Sequence, residues 1–229
     1  DDLLFSGCGT GYYTDCLDSA FLGQLNVGGS SYKSISDPAL ANTAVFDLAL
    51  QPDGKVVAVG KARVAGRTQM TVFRLLPGGT LDTAFGTNGL VQLGTDLAMD
   101  QGTSLVLESD GRVTLAGYRG SSLVVVRLLA SGAPDTSFGS GGGFTWGTQL
   151  AGWSPKLVRV PGGGYRVMVH VVEGGGLSTN TVCRVLALTP AGATDPAFGD
   201  GGLSGDVVVV AEHSYCSSIG ADAAGRVAV

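Results

Sequence analysis

His170 and His213 are the only imidazoles in this chain. His213 follows Glu212 in AEHSYC. That pairing can ligate a metal or move a proton. His170 lies inside the apolar run VMVHVV, where a histidine satisfied within a sheet is the simplest reading. Glu108 and Glu173 are acids of the type that glycoside hydrolysis needs in pairs. Nothing in the sequence singles them out. There is no GxSxG elbow for a serine nucleophile. GSGGG and GDGG are not followed by Lys-Ser/Thr and have no strand-to-helix context, so they are turn glycines rather than phosphate loops. No catalytic residue is assigned, and no metal site.

Four cysteines are present, Cys8, Cys16, Cys183 and Cys216. An even count allows three pairings. Cys8 and Cys16 flank CGTGYYTDC, which reads as a small stapled hairpin. Cys183 and Cys216 fall in neighbouring units and are placed to bridge them; buried free thiols are the alternative. No CxxC spacing argues for zinc. Bridged cysteines imply a compartment outside the cytoplasm. Candidate binding residues are aromatic: Trp146 and Trp153, both in SGGGFTWGTQLAGWSP, and Tyr12 and Tyr13 in the stapled loop. They offer a platform for a sugar or peptide, set against the commoner role of packing.

The elements that must position these residues are repeats. LQPDGKVVAVG followed by MTVFRLLPGGTLDTAFG organises the chain (residues 50–86). VFDLAL, KVVAVG and MTVFRLL read as strands from their β-branched content. Pro-Asp-Gly and Pro-Gly-Gly read as turns. The strand LVQL (residues 90–93) reads as the opening of the next unit. That unit repeats the pattern as SDGRVTLAGY, LVVVRLL and APDTSFG; a third has PGGGYRVMVHVV and ATDPAFG; a fourth starts at residue 200 and ends in DAAGRVAV. The aligned phenylalanines Phe21, Phe85, Phe138 and Phe198 are 64, 53 and 60 residues apart. Four short strands per unit point to an all-β fold, a β-propeller of four-stranded antiparallel blades with at least four blades. The expected units are residues 24–86, 87–139, 140–199 and an incomplete 200–229. Residues 1–23 supply an N-terminal strand that completes the last sheet and closes the ring, removing exposed edges. Residues 24–44 and 140–155 read as long surface links, where binding surfaces usually lie.

The recurring xDxxFG has a structural explanation. One aromatic per unit can wedge between sheets. Asp18, Asp82, Asp135 and Asp195 can each accept backbone N–H bonds and shape the turn. Calcium is the rival ligand for these carboxylates, but one Asp per unit brings little charge. The run DGK, VVAVG, RLL, PGG and LDTAFG resembles the delta-60 repeat, a bacterial family, over three full copies and part of a fourth. The resemblance implies a β-propeller in a secreted or surface-anchored protein and no catalytic residue. The third copy departs from it, with Gly-Gly-Gly for Asp-Gly and Thr194 for Leu. The fourth has Ala224-Gly225. These departures weaken a functional role for the turn Asp.

Glycine is 38 of 229 residues, roughly one in six against a usual ~7%, and charged residues are 14% against a usual ~25%. That composition excludes a disordered tail. The net charge of −5 has no basic cluster behind it, which argues against nucleic acid or an anionic membrane surface as partner. No apolar run approaches the ~20 residues of a membrane helix. The Asp1 start fits a processed N-terminus or a fragment, and the end at Val229, within a strand, implies that more chain follows. The expected function is a non-enzymatic extracellular or cell-surface module that binds a protein or carbohydrate or serves as scaffold. The alternatives are a propeller enzyme (hydrolase, lyase or lactonase) with its site in the central channel, and a self-associating surface or filament subunit.

Overall fold

The computed structural model describes residues 3–6, 20–26, 29–35, 40, 43–64, 67–94, 100–147, 150, 154–173, 180–204 and 216–229. The described elements are all strands, in five antiparallel sheets. Sheet 1 holds β1 (Leu3–Ser6), β2 (Ala20–Asn26) and β3 (Gly29–Ile35). Sheet 2 holds β4 (Thr43–Leu50), β5 (Val56–Val64), β6 (Arg67–Leu75) and β7 (Leu90–Leu93). Sheet 3 repeats it with β8 (Asp100–Leu107), β9 (Val113–Arg119), β10 (Ser122–Leu128) and β11 (Gly143–Trp146). Sheet 4 has β12 (Lys156–Arg159), β13 (Tyr165–Glu173) and β14 (Asn180–Leu188), and sheet 5 has β15 (Gly220–Ala221) and β16 (Val227–Ala228).

Within each full sheet, neighbouring strands are also consecutive in sequence. The middle strands are near-continuous apolar runs because both of their faces are covered. In β5, Val57 and Val59 pack toward Leu105, Val113, Leu115, Val124 and Leu128 of sheet 3. Val56 and Ala58 point the other way, into a cluster with Leu40, Phe73 and Leu75. In β9, Val113 and Leu115 face sheet 2, while Ala116 joins Tyr165, Val167, Val169 and Leu186 of sheet 4. This is the period of two expected of a strand. Sheet 3 thus shares one core with sheet 2 and another with sheet 4.

Four sequence expectations change. LVQL is the last strand of sheet 2, paired with β6, and not the first strand of the next unit. The same holds for GFTW: residues 143–146 form β11, inside what reads as a surface link. After Phe85 and Phe138 the chain turns back and hydrogen-bonds to the sheet it has just left, as in Arg74 N–H to Gly89 O at 3.1 Å and Arg127 N–H to Gly142 O at 3.1 Å. The sheet boundary therefore falls one strand later than the repeated phrase suggests. β1 pairs with β2, so among the described residues its partner is in sheet 1 rather than the final sheet. Finally, the polar residues 24–35, read as part of a link, contribute to β2 and β3.

The first strands of sheets 2 and 3 carry a bulge at the same place, between Val45 and Asp47 in β4 and between Gly102 and Ser104 in β8. The bulge turns a side-chain oxygen toward the next sheet. Asp47 Oδ2 accepts from Leu105 N–H at 2.8 Å, and Ser104 Oγ accepts from Leu157 N–H at 3.1 Å. Opposite the bulge stands a glycine, Gly117 in β9, where a Cβ would lie 2.0 Å from Gln101 O. Among the described residues β12 shows no bulge, and the β13 residue that corresponds to Gly117 is Val169.

Candidate functional site

The repeated aspartates sit in an ion-pair and ring cluster. Asp82 Oδ2 accepts from Arg74 Nε at 2.8 Å, and its Oδ1 accepts from Ala84 N–H at 3.2 Å. The Arg74 guanidinium lies over the Phe85 ring, 4.6 Å from its centroid. Its Nη1 donates to Ala130 O of the following sheet at 2.7 Å. Sheet 3 reproduces every contact. Arg127 Nε reaches Asp135 Oδ2 at 2.7 Å, stacks on Phe138 at 4.6 Å, and donates from Nη1 to Pro190 O at 2.8 Å. Both arginines and both aspartates are buried. A second cation approaches each carboxylate, Lys55 at 3.3 Å from Asp82 and Arg112 at 3.4 Å from Asp135.

In sheet 4 the residue at the arginine position is Ala187, yet the cluster survives. Its direct cross-strand partner is Arg166. Arg166 approaches Asp195 at 3.5 Å and lies 4.5 Å from the Phe198 centroid. The guanidinium has moved to the adjacent strand while keeping its carboxylate and its ring. A buried cation needs a counter-charge, and the spacing between paired strands, ~5 Å, is short enough for a long side chain to cross. At Asp82 and Asp135 a calcium ion would have to compete with a bonded guanidinium.

Electrostatics follow from these bonds. Asp135 is held down to about 2 by the Ser137 hydroxyl first, then by Ser137 N–H and Arg127, against the opposing effect of burial. At Asp82 burial opposes ionisation, but Ala84 N–H, Lys55 and Arg74 outweigh it and keep the carboxyl below its ordinary value. A depressed folded-state value means that the stabilisation is complete above the ordinary carboxylate range and is lost as pH falls through the folded value. Stability measured by denaturant titration is expected to fall between about pH 4 and pH 2, and Asp135→Asn should flatten part of that slope. An unchanged slope in the variant would show that Asp135 is not a source of the acid sensitivity.

Glu108, an unassigned acid in the sequence, is buried between sheets 3 and 4. It accepts hydrogen bonds from the Tyr165 hydroxyl and from Thr114 Oγ1 (2.8 Å), and pairs with Arg112 at 3.3 Å. Burial, with Glu108 next to it, raises the Tyr165 phenol above its ordinary value. With three donors around it, Glu108 is part of the seam between sheets. Asp100, which the sequence reading passed over, is buried at the start of β8 and accepts from Arg119 Nε at 3.1 Å.

Cys183 on β14 is bonded to Cys216, 33 residues on, with Cα atoms 6.2 Å apart. The bond ties sheet 4 to the segment entering sheet 5. His170 faces Cys183 in the strand register, and its Nε2 accepts from Cys216 N–H at 3.2 Å. Burial lowers the His170 imidazole from its ordinary value. Trp146 is half-buried, paired with Leu123 in register and packed against the sheet 3–sheet 4 core. Trp153, Tyr12, Tyr13, Cys8, Cys16, Asp18, Glu212 and His213 lie outside the described residues, as do the side chains of Phe21 and Glu173.

Two grooves of nearly equal size, about 880 and 890 Å³, lie at equivalent places along the seams. One runs between β7 and residues 131–134, the other between β11 and residues 191–193. Among the described residues that line them, Arg119 is the only one with a charged side chain. The repeat geometry agrees with a comparison of families. Residues 51–85 and 108–138 match the family model described as "Domain of unknown function (DUF5122) beta-propeller". The fold is of the β-propeller type. Both matches start at the turn before the second strand of a blade and end on the phenylalanine, so each spans one whole Arg–Asp–Phe cluster. No curated protein matches the chain.

Proposed function

We propose that this chain is a non-catalytic β-propeller module that works outside the cytoplasm as a binding scaffold. Its contact surface is the set of repeated grooves along the blade seams, and its ligand is an extended, uncharged protein segment. The observation that carries this reading is the pair of equivalent grooves, each running beside the outermost strand of its blade. Among the described residues β7 and β11 each pair with a single strand, so an extended peptide can add to them through main-chain bonds. The buried ionisable groups of sheets 2 and 3 are meanwhile engaged in the scaffold itself, as at Arg74–Asp82, Arg127–Asp135 and Glu108–Tyr165. The Cys183–Cys216 bond supports an oxidising compartment.

The test places charge on the exposed edge positions. Gln92→Lys combined with Thr145→Lys leaves the core untouched, because both residues are exposed. Binding to a library of neutral extended peptides is expected to fall by roughly tenfold or more in the double variant with no change in melting temperature, because an added strand would have to desolvate the new edge charges. Binding only to glycans, or equal binding by the variant, would remove the peptide reading. Sustained hydrolase or oxidoreductase turnover by the purified chain, abolished on substituting Glu212 or His213, would remove the non-catalytic one.

A further inference from the structure

An imidazole nitrogen of His170 and the two sulfurs of Cys183 and Cys216 lie within 4.8 Å of one another. We propose that, when the Cys183–Cys216 bond is reduced, these three residues become a binding site for a soft divalent cation, with zinc the best match.

The donor types fit. Thiolate and imidazole are the preferred ligands of zinc, with Zn–S near 2.3 Å and Zn–N near 2.0–2.1 Å. Tetrahedral bonds of those lengths set the donors roughly 3.5–3.8 Å apart. The sulfurs must separate from their bonded distance, and the imidazole must close by at most about 1.3 Å. His170 and Cys183 are fixed by the β13–β14 ladder, opposite each other in register. Cys216 is on irregular backbone just before β15, where a small shift breaks no strand pairing. The Nε2 lone pair already points at Cys216, since it accepts that residue's N–H. The ring therefore presents a nitrogen lone pair toward the residue that carries the second sulfur.

Charge decides which cation. His170 and Cys183 are buried, so an uncompensated charge there is expensive. A divalent ion with two thiolates and one neutral imidazole has no net charge. A monovalent copper ion would leave one negative charge. Three protein donors leave a fourth tetrahedral position for water.

The chemistry balances with a dithiol as reductant. The dithiol gives two electrons and two protons, becomes a disulfide itself, and leaves two thiols on the chain. Zinc then displaces both thiol protons to solvent. The disulfide and the metal site are consequently alternative states of the same three side chains. A chain that meets zinc before an oxidant is held open until the metal leaves.

The probe is Co²⁺, whose thiolate charge-transfer and tetrahedral d–d bands report the ligand set. The protein carries Cys8→Ser and Cys16→Ser, so that only one cysteine pair remains, and is reduced with a phosphine that is then removed under inert gas. One Co²⁺ per chain is expected, displaced by Zn²⁺, with none bound by the oxidised protein. His170→Phe should weaken binding roughly tenfold or more, since loss of even an outer-shell partner typically costs 10–100-fold. Absent bands, equal binding by the oxidised protein, or an unaffected His170→Phe variant would each overturn the site. A second measurement does not depend on the variants folding. In the reduced native chain, closure of the Cys183–Cys216 bond, followed by peptide mapping, should slow about tenfold with one equivalent of zinc; an unchanged rate would also overturn the proposal.

Discussion

Replacing Arg127 with alanine is expected to destabilise the protein by about 3–5 kcal/mol, the range for breaking a buried ion pair from one side. Arg127 satisfies the Asp135 carboxylate, covers the Phe138 ring and donates to Pro190 O of the next blade. Its removal leaves Asp135 buried with Arg112 as the remaining cation, at 3.4 Å and itself shared with Glu108 and Asp110. Because the arginine is shared between blades, the loss should also reduce cooperativity. Denaturant melts followed by tryptophan fluorescence and by circular dichroism are expected to separate. A loss under about 1 kcal/mol, the range of exposed pairs, would mean that the cluster has no more effect than a surface salt bridge.

Phe138→Ala should cost a similar amount, about 3–5 kcal/mol, typical of removing a buried aromatic. The ring is fully buried and meets Tyr165 edge to face, with centroids 5.9 Å apart at 86°. Gly192 of the next blade approaches so closely that a Cβ there would lie 2.7 Å from the ring. The surrounding groups belong to two blades held by their own ladders, so the space left cannot easily collapse. Phe198→Ala should cost less, because Phe198 is only half-buried. The comparison is made by thermal melting of the two variants side by side. Equal losses would show that the ring acts through its own blade rather than through the seam.

The strands most legible in the sequence were β5, β6, β9, β10, β13 and β14. Their two covered faces produce runs such as KVVAVG and LVVVRLL. Edge strands were harder. β7 and β11 have only four residues each and follow a turn phrase that reads as a full stop. β2 and β3 contain QLN and GSSYKSI, with no apolar alternation to reveal them. The Asp–Phe half of the cluster was visible because it recurs within one phrase. Its arginine half was not, although Arg74 and Arg127 both precede their aspartate by eight residues. That offset was the available signal, and the third copy obscured it by shifting the cation to Arg166. The Glu108–Tyr165 contact joins two blades through tertiary packing alone, and no local pattern encodes it.

Both Arg74 and Arg127 reach forward to a main-chain carbonyl, Ala130 O in one case and Pro190 O in the other. Every residue type has that oxygen. A gene duplication that inserts another copy downstream therefore delivers a suitable acceptor whatever codons the copy has since accumulated. Lineages built from such units can lengthen, shorten or reshuffle their arrays while the receiving segments diverge, so long as each donor arginine keeps its aspartate.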